Sequence, residues 1–148
     1  KGDLTKTRLD RGYNLIVNID VLEHIGPYED VLRSFYTWLT PGGYLYIHTP
    51  QAHQKRIFKK FFASWQHKEH VREGFDPNSL KKDILRTGFK TVKSWTGFGY
   101  LGRLTWELNH LSISQNILLA GLVFPIISLI SVFDTRNGSL TTYHLAQK

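Results

Sequence analysis

The 148-residue chain contains no cysteine. Disulfides, thiolate catalysis and cysteine-ligated zinc are therefore excluded for these residues. Methionine is absent as well, even at position 1, and Lys1-Gly2-Asp3 shows neither an initiator nor the pattern of a secretory signal. The expectation is a piece of a longer chain. Acidic side chains are scarce: 12 Asp and Glu stand against 19 Lys and Arg, a net charge of +7. Internal repeats and low-complexity tracts are also missing. What is present is ordinary. With 41% hydrophobic and 21% charged residues, the chain is globular rather than disordered and long enough to bury a core.

The positive charge is local. Residues 1–50 hold five basic and six acidic side chains, residues 51–100 eleven and four, and residues 101–148 three and two. Lys55, Arg56, Lys59, Lys60, Lys68 and Arg72 dominate the middle third, interleaved with Phe58, Phe61, Phe62 and Trp65. Basic residues among aromatics suit RNA, another phosphate-rich partner or an anionic membrane surface. The periodicity is also explained without a ligand, by an amphipathic helix with a solvated basic face.

The apolar run at 13–19, rich in β-branched residues, reads as a buried strand. A short turn or helix follows at 21–25, broken by Gly26-Pro27. Residues 28–39 carry Val31, Leu32, Phe35, Tyr36 and Leu39 at helical spacing. Thr40-Pro41-Gly42-Gly43 signals a stop and turn, and 44–48 a second strand. Strand, helix and strand at this spacing form a βαβ unit, with parallel strands and a right-handed crossover. Residues 51–72 read as a basic insertion, partly helical. Asp76-Pro77-Asn78-Ser79 opens a helix with proline near its first position. Residues 89–95 form a third strand, Gly97, Gly99 and Gly102 a loop, Asp134 to Ser139 a turn, and 140–146 a last strand.

Residues 111–133 contain 23 positions without one charge. A membrane span needs about 20 predominantly apolar residues. Here Ser112, Ser114, Gln115, Asn116, Ser128 and Ser131 dilute the run, Pro125 interrupts it, and the whole chain's mean hydropathy is −0.27. A buried helix, an interfacial or substrate-covering helix, and a span all remain open.

Asp20-Val21-Leu22-Glu23-His24 directly after an apolar strand, then a helix, then Leu39-Thr40-Pro41-Gly42-Gly43 and a strand, resembles the class I S-adenosylmethionine-dependent methyltransferases. The box is similar to that of the ubiquinone-biosynthesis group. Gly2-Asp3-Leu4 resembles the family's acidic loop after its third strand. The resemblance implies an α/β, Rossmann-like seven-stranded sheet, of which this chain holds strands four to seven in the order 4-5-7-6, the seventh antiparallel. The glycine-rich loop after the first strand and the acidic end of the second would precede Lys1, with roughly a hundred residues. Residues 1–148 are then the C-terminal portion of one domain, with a basic insertion at 51–72 and an apolar, lid-like helical insertion at 97–139.

The same resemblance implies a transferase that uses S-adenosyl-L-methionine to methylate a small-molecule or lipid-like acceptor. Asp3, Leu4, Asn18, Ile19 and Asp20 would meet the cofactor. Asp20, Glu23 and His24, at i, i+3 and i+4, would share one face of a helical turn. They are the candidates for catalysis, for bracing the loop, or for holding a divalent ion. His48, Thr49 and Pro50 end the second strand and would face substrate. His53, His67 and His70 match no zinc template. Trp95, Tyr100, Trp106 and Phe124 could line an apolar pocket or pack in the core. The alternative function is non-catalytic, a fragment or homologue that binds RNA or an anionic membrane through its basic patch. The expected location is cytoplasmic, with membrane association through 111–133 left open.

Overall fold

The computed structural model describes residues 3–4, 6–7, 9, 12–62, 71–135 and 137–148, without the side chains of Thr91, Val92 and Ser114. Gly2 of the acidic loop, and Trp65, His67, Lys68 and His70 of the basic segment, lie outside the described residues. In chain order the elements are β1 (Tyr13–Ile19), a 3-10 turn (Leu22–His24), α1 (Tyr28–Trp38), β2 (Leu39–Pro50), α2 (Lys59–Phe62), α3 (Pro77–Arg86), β3 (Thr91–Gly97), α4 (Tyr100–Gln115), α5 (Ile117–Ser131) and β4 (Thr141–Gln147). They form two compact units. One holds the described parts of Lys1–His53, His67–Trp95 and Thr142–Lys148, and the other those of Gln54–Gln66 and Thr96–Thr141.

The sheet, in the order β1-β2-β4-β3, dominates the first unit. β1 and β2 pair in parallel, as their α-helical crossover requires. β4 runs against β2: Gly42 N donates to Lys148 O and Lys148 N to Gly43 O at one end, while Tyr143 packs on His48 at the other. The result is a mixed, four-stranded part of a Rossmann-like α/β sheet. α1 buries Val31, Leu32, Phe35 and Trp38 against Leu45 and Ile47 of β2, Ala146 of β4 and Leu80 and Ile84 of α3. The start of α3 follows from its cap: Ser79 N donates to Asp76 Oδ1 at 2.8 Å, and this bonding holds the Asp76 carboxyl below the ordinary carboxylate range.

Thr40-Pro41-Gly42-Gly43 does not stand apart as a turn. It lies within β2, where the pairing jumps from Tyr13↔Leu39 to Leu15↔Tyr44. Gly42 takes φ +80°, which glycine tolerates, and the end of β4 satisfies its backbone. The break becomes a bulge because a neighbouring strand is there to bond it.

In the second unit, the expected loop at Gly97 to Gly102 is already helical from Tyr100. Asp134 is the reason. Its carboxylate accepts from Gly99 N at 2.8 Å and packs where a side chain at Gly99 or Gly102 would stand. Residues 111–133 divide between two helices at Asn116, whose Oδ1 accepts from Leu118 N at 2.7 Å. Pro125 lies inside α5 instead of ending it. It is exposed and removes only the bond that would reach the Gly121 carbonyl. Among the described residues no helix is long and apolar enough to cross a membrane.

One buried titratable group makes the first unit acid-sensitive. His144 of β4 is fully buried, with Ser94 Oγ 2.8 Å from Nδ1 and Thr142 Oγ1 3.1 Å from Nε2. Burial, aided by the charge of Lys81, pushes its pKa down from 6.5 to about 4. Between those values the unfolded chain binds the extra proton, so stability falls as pH drops from about 6.5 towards 4. The linked loss is on the order of 3 kcal/mol at most. Thermal melts across this window are expected to show the decline in the wild type. They should show a shallower one in His144→Gln, whatever that variant's absolute stability.

Candidate active site

In open α/β sheets, ligands bind at the carboxyl ends of parallel strands. Here β1 and β2 end side by side, with Asn18 opposite Ile47 and Ile19 opposite His48. Asp20 follows in a left-handed conformation, φ +50°, and its N donates to His48 O at 3.1 Å. Aspartate visits this region more readily than most residues, and such positions cluster at functional sites. The turn carries Asp20 Oδ1 to 2.9 Å from His48 Nδ1. The contact is close but is not a well-directed hydrogen bond, since His48 Nδ1 is buried without meeting hydrogen-bond geometry. The His48 ring lies 4.8 Å from that of Tyr143, which stacks in turn on Trp95 at 5.4 Å and 3°. Leu15, Val17 and Ile19 of β1, on the His48 side of the sheet by register, are more than half exposed.

Glu23 is fully buried. Burial pushes its carboxyl above the ordinary range, and the nearby Asp20 charge adds to this. Oε2 accepts from the buried Thr49 hydroxyl at 3.2 Å, while Oε1 has no hydrogen-bond partner among the described residues. The Glu23 carbonyl accepts from Val71 N and Arg72 N at 3.0 and 3.3 Å. Arg72 closes the loop from the other side. Its guanidinium donates to the carbonyls of Leu22, Ile25 and Gly26 at 2.8–2.9 Å and covers the rings of Tyr28 and Phe75.

Asp20, Glu23 and His24 do not share one helical face. Only residues 22–24 are helical, and that turn is 3-10, with three residues per turn instead of 3.6. Consecutive side chains diverge: Glu23 is buried and His24 exposed. Among the described residues no group of three His, Asp or Glu is placed to hold a metal ion. Asn18 is buried at the end of β1, and its Oδ1 lacks a partner among the described residues. Ile19 is half exposed. Asp3 is exposed and its carbonyl accepts from Lys6 N and Thr7 N, while Leu4 packs on the core. The Pro50 carbonyl accepts from Phe75 N at 2.9 Å. Trp95 belongs to the sheet face beside His48. Tyr100, Trp106 and Phe124 belong to the second unit. Sequence reasoning missed Arg72 as a clamp and Tyr143 as the platform of His48. No local pattern marks the first, and the second follows only from the place of β4 in the sheet.

Chemically, the strand ends offer on one face of the sheet a carboxylate beside an imidazole and an aromatic wall, and on the other a buried amide oxygen without a partner among the described residues. The first group can orient a small ligand and exchange a proton with it.

A family model for the methyltransferase domain matches residues 4–94, which include β1 through α3 and the Asp20–His48 pair. No curated protein matches significantly. Among solved structures, the chain is similar to a phosphoethanolamine N-methyltransferase 2 of Haemonchus contortus, in complex with phosphomonomethylethanolamine and S-adenosylhomocysteine. Identity is 15%, TM-score 0.59, and the match covers 99% of this chain and 36% of that one. It is similar to a SAM-dependent methyltransferase from Archaeoglobus fulgidus at 20% identity and TM-score 0.60, covering 100% and 66%. A third, a SAM-dependent methyltransferase from Thermotoga maritima, is 13% identical with TM-score 0.58, covering 99% and 62%. The chain thus spans between about a third and two thirds of the length of these relatives. At these identities the three structures speak for the fold alone. The family model spans well over half of the chain, and on that match the chain belongs to the methyltransferase domain family.

Proposed function

We propose that this chain supplies the C-terminal part of an S-adenosylmethionine-dependent methyltransferase acting on a small-molecule or lipid-like acceptor. The observation that carries the reading is the Asp20–His48 pair at the adjoining ends of β1 and β2, inside the family-matched segment. In this reading β1 to β4 correspond to strands four to seven of the family's sheet. The N-terminal strands add to the exposed β1 edge and bring the glycine-rich loop. The short share of each relative's length that the chain covers supports this.

When bound, S-adenosylmethionine supplies an electrophilic methyl on a sulfonium. The residues present fit it: Asn18 Oδ1 is a buried acceptor without a donor among the described residues, Ile19 gives apolar surface on the opposite face of the strand end, and the Asp3-Leu4 turn gives an acidic and an apolar neighbour. His48 takes the proton from the acceptor heteroatom, with Asp20 holding the ring. Tyr143 and Trp95 flank the acceptor and keep water from it. Glu23 acts through others: its carbonyl and carboxylate fix the loop between β1 and α1, which Arg72 clamps. The ligand of the Haemonchus enzyme, phosphomonomethylethanolamine, is a small amine and in keeping with a compact acceptor. The nucleic-acid alternative is weaker, because Arg72 spends its donors on loop carbonyls.

Calorimetric titration with S-adenosylmethionine is expected to show binding by the full-length protein and little by this chain alone. Tight binding by the chain would overturn the assignment of the missing half. In the full-length protein, His48→Asn should lower kcat about 100-fold or more, with cofactor affinity within roughly threefold of wild type. Parallel losses of affinity and turnover would remove His48 from the proton path. Glu23→Gln tests the bracing role. A carboxyl whose pKa is raised by folding favours the fold below about pH 4.5 and disfavours it once ionised, so at neutral pH the amide should hold or raise the melting temperature. A clear drop there would mean that ionised Glu23 stabilises the fold.

A further inference from the structure

α5 has more apolar surface than its own unit uses. Only Ala120 and Ile127 are buried, two turns apart on one line of the helix. Ile117, Leu118, Leu122, Ile126 and Leu129 are 63–78% exposed, and Phe133 just beyond the helix is 75% exposed. A soluble monomer seldom leaves so many adjoining large apolar side chains in water. Not one charge interrupts them. At about 1.5 Å per residue a helix of this length reaches roughly 22 Å, short of the ~30 Å hydrocarbon core, so it can lie on a bilayer but not cross one.

The charges of the same unit select the partner. Over residues 54–66 and 96–141 there are six Lys and Arg against two acids, Glu107 and Asp134. Both carboxylates are turned to the backbone. Glu107 is fully buried and accepts from Ile57 N and Phe58 N at 2.7–3.1 Å, and Asp134 accepts from Gly99 N. Lys55, Lys59 and Lys60 are exposed, with Phe61 at 70% exposure in the same turn as the last two. The unit therefore offers water an uncharged apolar helix, an exposed aromatic and exposed lysines, with no exposed carboxylate among its described residues. Anionic lipid headgroups above an acyl layer complement both features at once, whereas a second copy of this chain would bring like charges together.

We propose that α5 and the lysine turn at Lys59–Phe62 dock this protein on an anionic bilayer, α5 lying in the interface. The proposal is independent of the methyl-transfer reading. Flotation of the 148-residue chain with vesicles tests it. Vesicles with about 30 mol% phosphatidylserine should retain the chain roughly tenfold better than phosphatidylcholine alone, and about 0.5 M salt should reduce that retention. Leu122→Glu with Ile126→Glu, at exposed positions, should abolish flotation while leaving the far-UV spectrum unchanged. Lys59→Glu with Lys60→Glu should remove the preference for phosphatidylserine. Three results would overturn the proposal: no retention by either vesicle, wild-type flotation of the Leu122/Ile126 variant, or a stable dimer in sedimentation that excludes vesicle binding.

Discussion

Parallel pairing of β1 with β2 is the constraint on which the candidate site depends. It sets Ile19 opposite His48, and so lets the residue after β1 reach the imidazole at the end of β2. Side chains alternate faces along a strand, so a one-residue slip would turn His48 into the helix-covered core and Ile47 out of it. The buried stripe of α1 holds the register, because Leu45 and Ile47 must both face Val31, Leu32 and Phe35. The same pairing leaves Leu15, Val17 and Ile19 on the open side. Core packing and site geometry are therefore two results of one register.

The loop between β1 and α1 departs from what stability alone would favour. It contains a non-glycine residue at positive φ, a buried carboxyl with one oxygen unsatisfied among the described residues, and, just before it, a buried amide oxygen with no partner among them. Each is unfavourable by about 1–3 kcal/mol. They persist because Arg72 ties three loop carbonyls together from about fifty residues further along the chain. Its guanidinium also lies over the adjoining rings of Tyr28 and Phe75. Concentrated local disfavour, held by a distant clamp, is what a preorganised site looks like.

Much of this was legible in the residues. The βαβ unit, the Asp76 cap of α3 and the last strand follow from periodicity and capping chemistry, which act over a few residues. What was not legible needs long-range information. Asp20 and His48 were each singled out, but their pairing depends on register. The spacing of Glu23 and His24 from Asp20 suits one face of an α-helical turn, and the 3-10 turn there separates them. The break at Asn116 and continuity through Pro125 turn on small differences. A side-chain cap marks the first, while at an exposed site the second loses only one helix bond.

The basic excess, a single number in the composition, divides by side-chain chemistry. The guanidiniums of Arg56 and Arg72 lie over aromatic rings, Arg56 on Phe62 and Trp106 and Arg72 on Tyr28 and Phe75. Burial even lowers the Arg56 pKa from its ordinary value. Arginine suits that role, since its delocalised charge is weakly hydrated and its planar faces stack. Lys55, Lys59 and Lys60 stay exposed, because an ammonium is strongly hydrated and expensive to strip of water. Arg56 and Arg72 are therefore engaged within their own units, while Lys55, Lys59 and Lys60 are available to an outside anion.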